Sequence, residues 1–111
     1  MGNTSDQLQG TLELLVLRTL ASAGEQLHGF GIAERIEQVS AEALRVEEGS
    51  LYPALHRMNE EGCVLSEWGT SDNNRRARFY KITTKGRRRL AQLERDWARH
   101  VAAVKRVIRH A

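Results

Sequence analysis

The chain has 111 residues, one cysteine, 41% apolar and 28% charged residues, and a net charge of +3. That leaves room for one domain with one modest core and excludes a large multi-part enzyme. A lone Cys63 closes no internal disulfide and no Cys/His cluster has metal-finger spacing, so stability must come from packing, in part between subunits.

The opening MGNTSDQLQG lacks the basic-then-apolar order of a signal peptide, and no uncharged run approaches the roughly 18 residues of a membrane span. A cytoplasmic chain with no membrane partner is expected. Leu12, Leu15, Val16 and Leu20, with Leu8 a turn earlier and Leu14 and Leu17 widening the face, predict a helix from about Gln9 to Ala23. Gly24 ends it. Leu27-His28-Gly29 leads into a second helical run, with Ile32, Ala33, Ile36 and Val39 at helical spacing up to Ser40. Residues 41–47 connect to a third helix. There Ser50 is expected to cap and Pro53 to sit in a first turn, where its missing N–H costs nothing. This helix buries Leu51, Ala54, Leu55 and Met58 and ends near Glu61-Gly62.

The period then changes. Val64–Trp68 and Arg78–Ile82 read as two strands around a polar, basic tip over 69–76. From Thr83 or Thr84 onward, Leu90, Leu93, Trp97, Val101, Val104 and Ile108 step by three or four residues, predicting one long helix to the end. At ~1.5 Å per residue it outruns the core of so small a domain, so part of it must pack on something else.

Charge is uneven along this order. Residues 1–74 carry four basic residues against twelve acidic ones, and residues 75–111 carry thirteen basic residues against Glu94 and Asp96. A basic field of that kind attracts a polyanion such as nucleic acid, unless it is only a solvated helix face.

Three helices, a hairpin and a closing helix predict a mainly α fold with a small β-hairpin. In fold terms it is a winged helix-turn-helix over 1–84 with a long C-terminal dimerisation helix over 85–111 in the same compact unit. The third helix offers Ser50, Tyr52, His56 and Arg57 from its first turns. Arg57 is the candidate base reader, because its planar fork matches guanine. The alternative is an ion pair with Glu60 or Glu61. Asn73, Asn74, Arg75, Arg76 and Arg78 suit phosphate contacts at a wing, or else protect a strand edge. On the last helix Leu90, Trp97 and Val104 are seven apart, flanked by Leu93 and Val107, with His100 on the seam, as a homodimer of paired helices requires. Trp97 reads either as interface core or as the wall of an apolar effector pocket. Cys63 is expected in the core. No Gly-rich phosphate loop or paired carboxylates point to an enzyme, and no ligand spacing points to a metal or other cofactor.

Several strings carry a family resemblance: Gly10-Thr11-Leu12-Glu13-Leu14-Leu15-Val16-Leu17, His28-Gly29-Phe30-Gly31-Ile32, the run from Glu47 through Arg57, Glu61-Gly62, and Arg78-Phe79-Tyr80-Lys81-Ile82-Thr83 with Gly86. Over roughly residues 7–90 the chain resembles the PadR family of transcriptional regulators, in the short subgroup with a single C-terminal helix. The resemblance implies a homodimeric winged-helix protein on double-stranded DNA, a repressor released by a small aromatic or drug-like effector. It maps DNA contacts onto Ser50, Tyr52, Pro53, His56, Arg57, Arg75, Arg76 and Arg78, and it places Trp97 like an effector-binding tryptophan of small members. A reading from another class is a winged-helix module that holds a protein partner without DNA.

Overall fold

The computed structural model describes residues 4–111, with side chains from residue 10 onward, so the packing expected of Leu8 lies outside the described residues. The elements run α1 (Thr4–Ala23), β1 (Leu27–His28), α2 (Gly29–Val39), α3 (Glu48–Glu60), β2 (Val64–Thr70), β3 (Arg76–Ile82) and α4 (Thr84–His110). Three antiparallel strands lie in the order β1-β3-β2. The core gathers Val16, Leu17 and Leu20 of α1, Ile32 and Ile36 of α2, Leu51, Ala54, Leu55 and Met58 of α3, then Val64, Tyr80, Leu90 and Leu93. Each of the larger aliphatic side chains buried there contributes about 1.5–3 kcal/mol. α3 supplies its share at i, i+3, i+4 and i+7, which turns its opposite side outward. Cys63 is buried as expected. This is a winged helix-turn-helix with a long closing helix.

Four boundaries differ from the sequence reading. α1 starts at Thr4 instead of near Gln9. α3 starts at Glu48, with Glu47 as an N-cap that makes no side-chain cap bond, so Ser50 is not the cap and Pro53 stands inside the helix. There Pro53 forgoes only the bond to the carbonyl of Gly49, an exposed residue that water can reach. The hairpin strands run two residues further on each side, because the Gly69↔Ala77 and Thr70↔Arg76 pairs continue the backbone ladder whatever their polarity. The tip shrinks to 71–75, closed by Ser71 N–H on the Arg75 carbonyl at 2.8 Å, with Asn74 at φ 59. Finally, Leu27 and His28 form a third short strand on β3 that two residues are too few to announce.

One joint welds α4 to the head. α3 ends in a Schellman turn, with Cys63 N–H on the Met58 carbonyl at 2.9 Å and Gly62 N–H on the Asn59 carbonyl at 3.1 Å. Thr83 caps α4 by accepting from Gly86 N–H at 2.9 Å, and its hydroxyl donates to the Gly62 carbonyl at 2.6 Å. Gly86 lies so near that turn that a Cβ would stand 2.1 Å from the Cys63 carbonyl oxygen. About 40 Å of helix follows from this fixed point.

Candidate nucleic-acid interface

The outward side of α3 carries Ser50, Tyr52, Pro53 and His56, all exposed. Tyr52 leans over the first residue of α2: a Cβ on Gly29 would stand 2.6 Å from Tyr52 Cε1, so glycine there gives the ring its seat. Burial, then the nearby carboxylate of Glu48 and the Tyr80 phenol, push the Tyr52 hydroxyl above its ordinary value near 10. It therefore remains a neutral donor at physiological pH, suited to a phosphate oxygen. His56 Nε2 lies 2.8 Å from Glu60 Oε1 one turn on. Arg57 does not pair with Glu60 or Glu61. Its Nε lies 3.9 Å from Oε1 of Glu13 on α1, at the flank of the exposed side.

The wing stands beside this surface. Strand alternation puts Val64, Ser66, Trp68 and Thr70 of β2 on the same face as Ile82, Tyr80, Arg78 and Arg76 of β3. The inner end of that face is core, and the outer end is open. Trp68 is 56% exposed, with the Arg76 guanidinium carbon 4.4 Å and that of Arg78 5.5 Å from its ring centroid. Both fall within cation–π range. One groove is lined by Tyr52 of α3, His28 of β1 and Phe30 of α2 on one side and by Trp68, Arg75, Arg76 and Arg78 of the wing on the other. His28 is no ligand here. Its Nδ1 accepts from Gly31 N–H at 2.8 Å and so caps α2.

At the other end, α1 and α4 flank an open cavity of about 310 Å³ lined by Gly10, Thr11, Leu14, Arg89, Leu93, Asp96, Trp97 and His100. The Trp97 and His100 ring centroids are 5.8 Å apart. Beyond the cavity Val104, Val107 and Ile108 are exposed, Ile108 at 78%. Leu90 and Leu93 are not on that open seam: at 4% and 7% exposure they belong to the protomer's own core. No described helix is long and apolar enough to cross a membrane, and no group of three or more metal-ligating side chains occurs among the described residues.

A family model described as the transcriptional regulator PadR-like family matches residues 16–92. The chain belongs to the PadR-like family. The transcriptional regulator Rv3488 of Mycobacterium tuberculosis is 34% identical over 71 residues, which cover 64% of this chain and 63% of that protein. Among solved structures, a transcriptional regulator from Clostridium thermocellum superposes with TM-score 0.80 at 23% identity, covering 91% of this chain and 96% of its own. A PadR-like transcriptional regulator from Bacillus cereus superposes with TM-score 0.74 at 24% identity over 96% and 99%. This PadR-like chain is therefore a transcriptional regulator, as its family is described and as the Mycobacterium tuberculosis relative is named.

Of the residues singled out in the PadR-like sequence, the groove gathers Tyr52 with Arg75, Arg76 and Arg78. Asn74 and Arg75 sit at the tip, Arg76 and Arg78 on the strand. Sequence reasoning missed Trp68. In an alternating strand that begins with Val64 it reads as core, and only its cross-strand position opposite Arg78, near the open end, shows it exposed against two guanidinium groups. Glu13, buried and paired to two arginines, was missed as well, hidden within the apolar run of α1.

Proposed function

We propose that this regulator is a homodimer that binds double-stranded DNA sequence-specifically and represses transcription until a small aromatic or drug-like effector releases it. The observation that carries the reading is the groove in which the exposed side of α3 meets a wing strand whose Arg76 and Arg78 flank Trp68. In this reading α3 enters the major groove with Ser50, Tyr52, Pro53, His56 and Arg57 toward it, while Asn74, Arg75, Arg76 and Arg78 engage the flanking backbone. Residues 1–84 are the DNA-binding unit and residues 85–111 the pairing helix. The open seam of Trp97, His100, Val101, Val104, Val107 and Ile108 supports pairing, with Leu90 and Leu93 stiffening it from beneath. The effector occupies the α1–α4 cavity against Trp97. Such a protein works in the cytoplasm, where its DNA is.

The experiment is fluorescence anisotropy with the duplex upstream of this protein's own gene against a scrambled duplex, at two salt concentrations. Tight binding that prefers the upstream duplex and weakens steeply with salt is expected. No binding to either at low salt overturns the reading in favour of a protein-holding module. For the cavity, planar dyes are expected to quench Trp fluorescence in the wild type and much less in Trp97→Phe. Unchanged emission in both removes the pocket from the account.

A further inference from the structure

Glu13 is the one buried charged residue among those described. A carboxylate taken out of water is costly unless it is paired, and this one is paired twice, to different parts of the molecule. Its Oε2 accepts from Arg89 Nε at 3.3 Å and Arg89 Nη2 at 3.2 Å. Its Oε1 faces Arg57 Nε at 3.9 Å, close enough for Coulomb attraction but too far for a hydrogen bond. The two cations differ in address. Arg57 is the only basic side chain of α3 other than His56, and Arg89 lines the α1–α4 cavity beside Leu93 and Trp97.

We propose that Glu13 is a positioning residue of the DNA-binding face, whose carboxylate, shared between Arg57 and Arg89, sets how far Arg57 is free to leave the protein for DNA. The proposal rests on the DNA-binding reading above. While Arg89 holds Glu13 by two hydrogen bonds, much of the carboxylate charge is answered from α4, and Arg57 is restrained only by a long contact. Anything in the cavity that offers Arg89 an acceptor oxygen or a negative charge withdraws that answer. The whole carboxylate charge then falls on Arg57, in a site where side-chain exposure is 11% for Glu13 and 36% for Arg57, so that solvent screens the pair only in part. Arg57 is drawn in and the base contact weakens. Three side chains on α4, α1 and α3 thus join cavity to recognition helix with no change in backbone.

The test uses the full chain and a duplex that the wild-type protein selects from a randomised pool, with a scrambled duplex as control, read by anisotropy. Arg89→Met leaves Glu13 to Arg57 alone and is expected to cut the preference for the selected duplex about tenfold, as losing one bidentate base contact does. Glu13→Gln is expected to keep or raise the wild-type preference, and adding Arg89→Met to it to change nothing further. An equal loss from Arg89→Met in both backgrounds, or no loss in either, overturns the proposal. If Arg89→Met melts below the assay temperature, Arg89→Lys gives the same comparison: it keeps the charge, loses the fork, and should show a smaller loss that Glu13→Gln cancels. No loss with Arg89→Lys, or one that Glu13→Gln leaves in place, is equally fatal. A wild type that selects no duplex refutes the DNA-binding reading and takes this proposal with it, a result distinct from either failure of the cycle.

Discussion

Replacing Trp68 by alanine should weaken every duplex alike without changing how binding responds to salt. The ring carries two guanidinium groups, at 4.4 Å and 5.5 Å. Each exposed cation–π contact of this kind is worth about 0.5–1 kcal/mol. An arginine side chain has on the order of 2 kcal/mol of rotamer entropy to lose when it docks, and a ring that already holds it lowers that cost. For two arginines partly pre-ordered, a loss of about 1 kcal/mol in binding is expected, roughly a fivefold rise in Kd. Both cations remain in Trp68→Ala, so the slope of log affinity against log salt should stay at its wild-type value. Removing Arg76 and Arg78 together should flatten it by about 0.9 for each lost phosphate contact. Trp68→Phe keeps a ring face and should recover part of the affinity. Anisotropy titrations over a salt series with selected and scrambled duplexes measure all of this. Wild-type affinity in Trp68→Ala, or a loss confined to the selected duplex, would refute the assignment of Trp68 as a plate that pre-orders the wing arginines.

Three more expectations concern packing and titration. Gly86→Ala places a Cβ against the Cys63 carbonyl and Ile82 Cγ1, and the backbone must shift. It should cost about 3 kcal/mol and lower the thermal midpoint by roughly 10 °C or more in a circular-dichroism melt, and an unchanged midpoint would contradict the close approach. Val104→Glu with Ile108→Glu on the open seam should convert a dimer to monomers in sedimentation runs, since an unpaired buried charge costs more than about 3 kcal/mol and over a hundredfold in association. Persistence of the dimer would move the interface elsewhere. Because the fold raises Tyr52 above its ordinary value near 10, the folded state keeps that proton where the unfolded chain has lost it, so Tyr52 contributes a fall in stability as pH rises past about 10. Absorbance at 295 nm should show a late-ionising tyrosine that Tyr52→Phe removes, and loss of an early-ionising component instead would invert the assigned environment.

The parts of the molecule legible from sequence are those in which one side of a regular element is wet and the other dry. α2 and α4 carry that contrast over enough residues for the period to stand out, and so does the buried quartet of α3. Where local preference and tertiary packing disagree, packing wins. Ser50 and Pro53 are good first-turn residues, but Leu51 must face the core, and the helix begins early enough to carry it there uncapped. β1 is only two residues long and owes its existence to β3, so no period marks it. Leu90 and Leu93 share the spacing of the seam residues, and spacing cannot say at which turn a helix leaves its own domain. The binding face was half visible for the same reason. Exposed cations announce themselves in a sequence, whereas an aromatic such as Trp68 or a buried acid such as Glu13 gains meaning only from what the fold sets against it.

The joint at Thr83 and Gly86 also constrains how this architecture can vary over generations. One residue inserted between Gly86 and Leu90 would turn the rest of the helix by about 100° against this joint and swing Leu90 and Leu93 out of the core. A length change there costs the packing of both leucines, and that cost fixes the phase of α4 relative to the wing. At the far end Val107 and Ile108 are exposed and no core contact among the described residues holds them to a phase, so residues can be exchanged there at little cost to the head. The helix thus has one end whose phase the core fixes and another whose residues can be exchanged without disturbing the head.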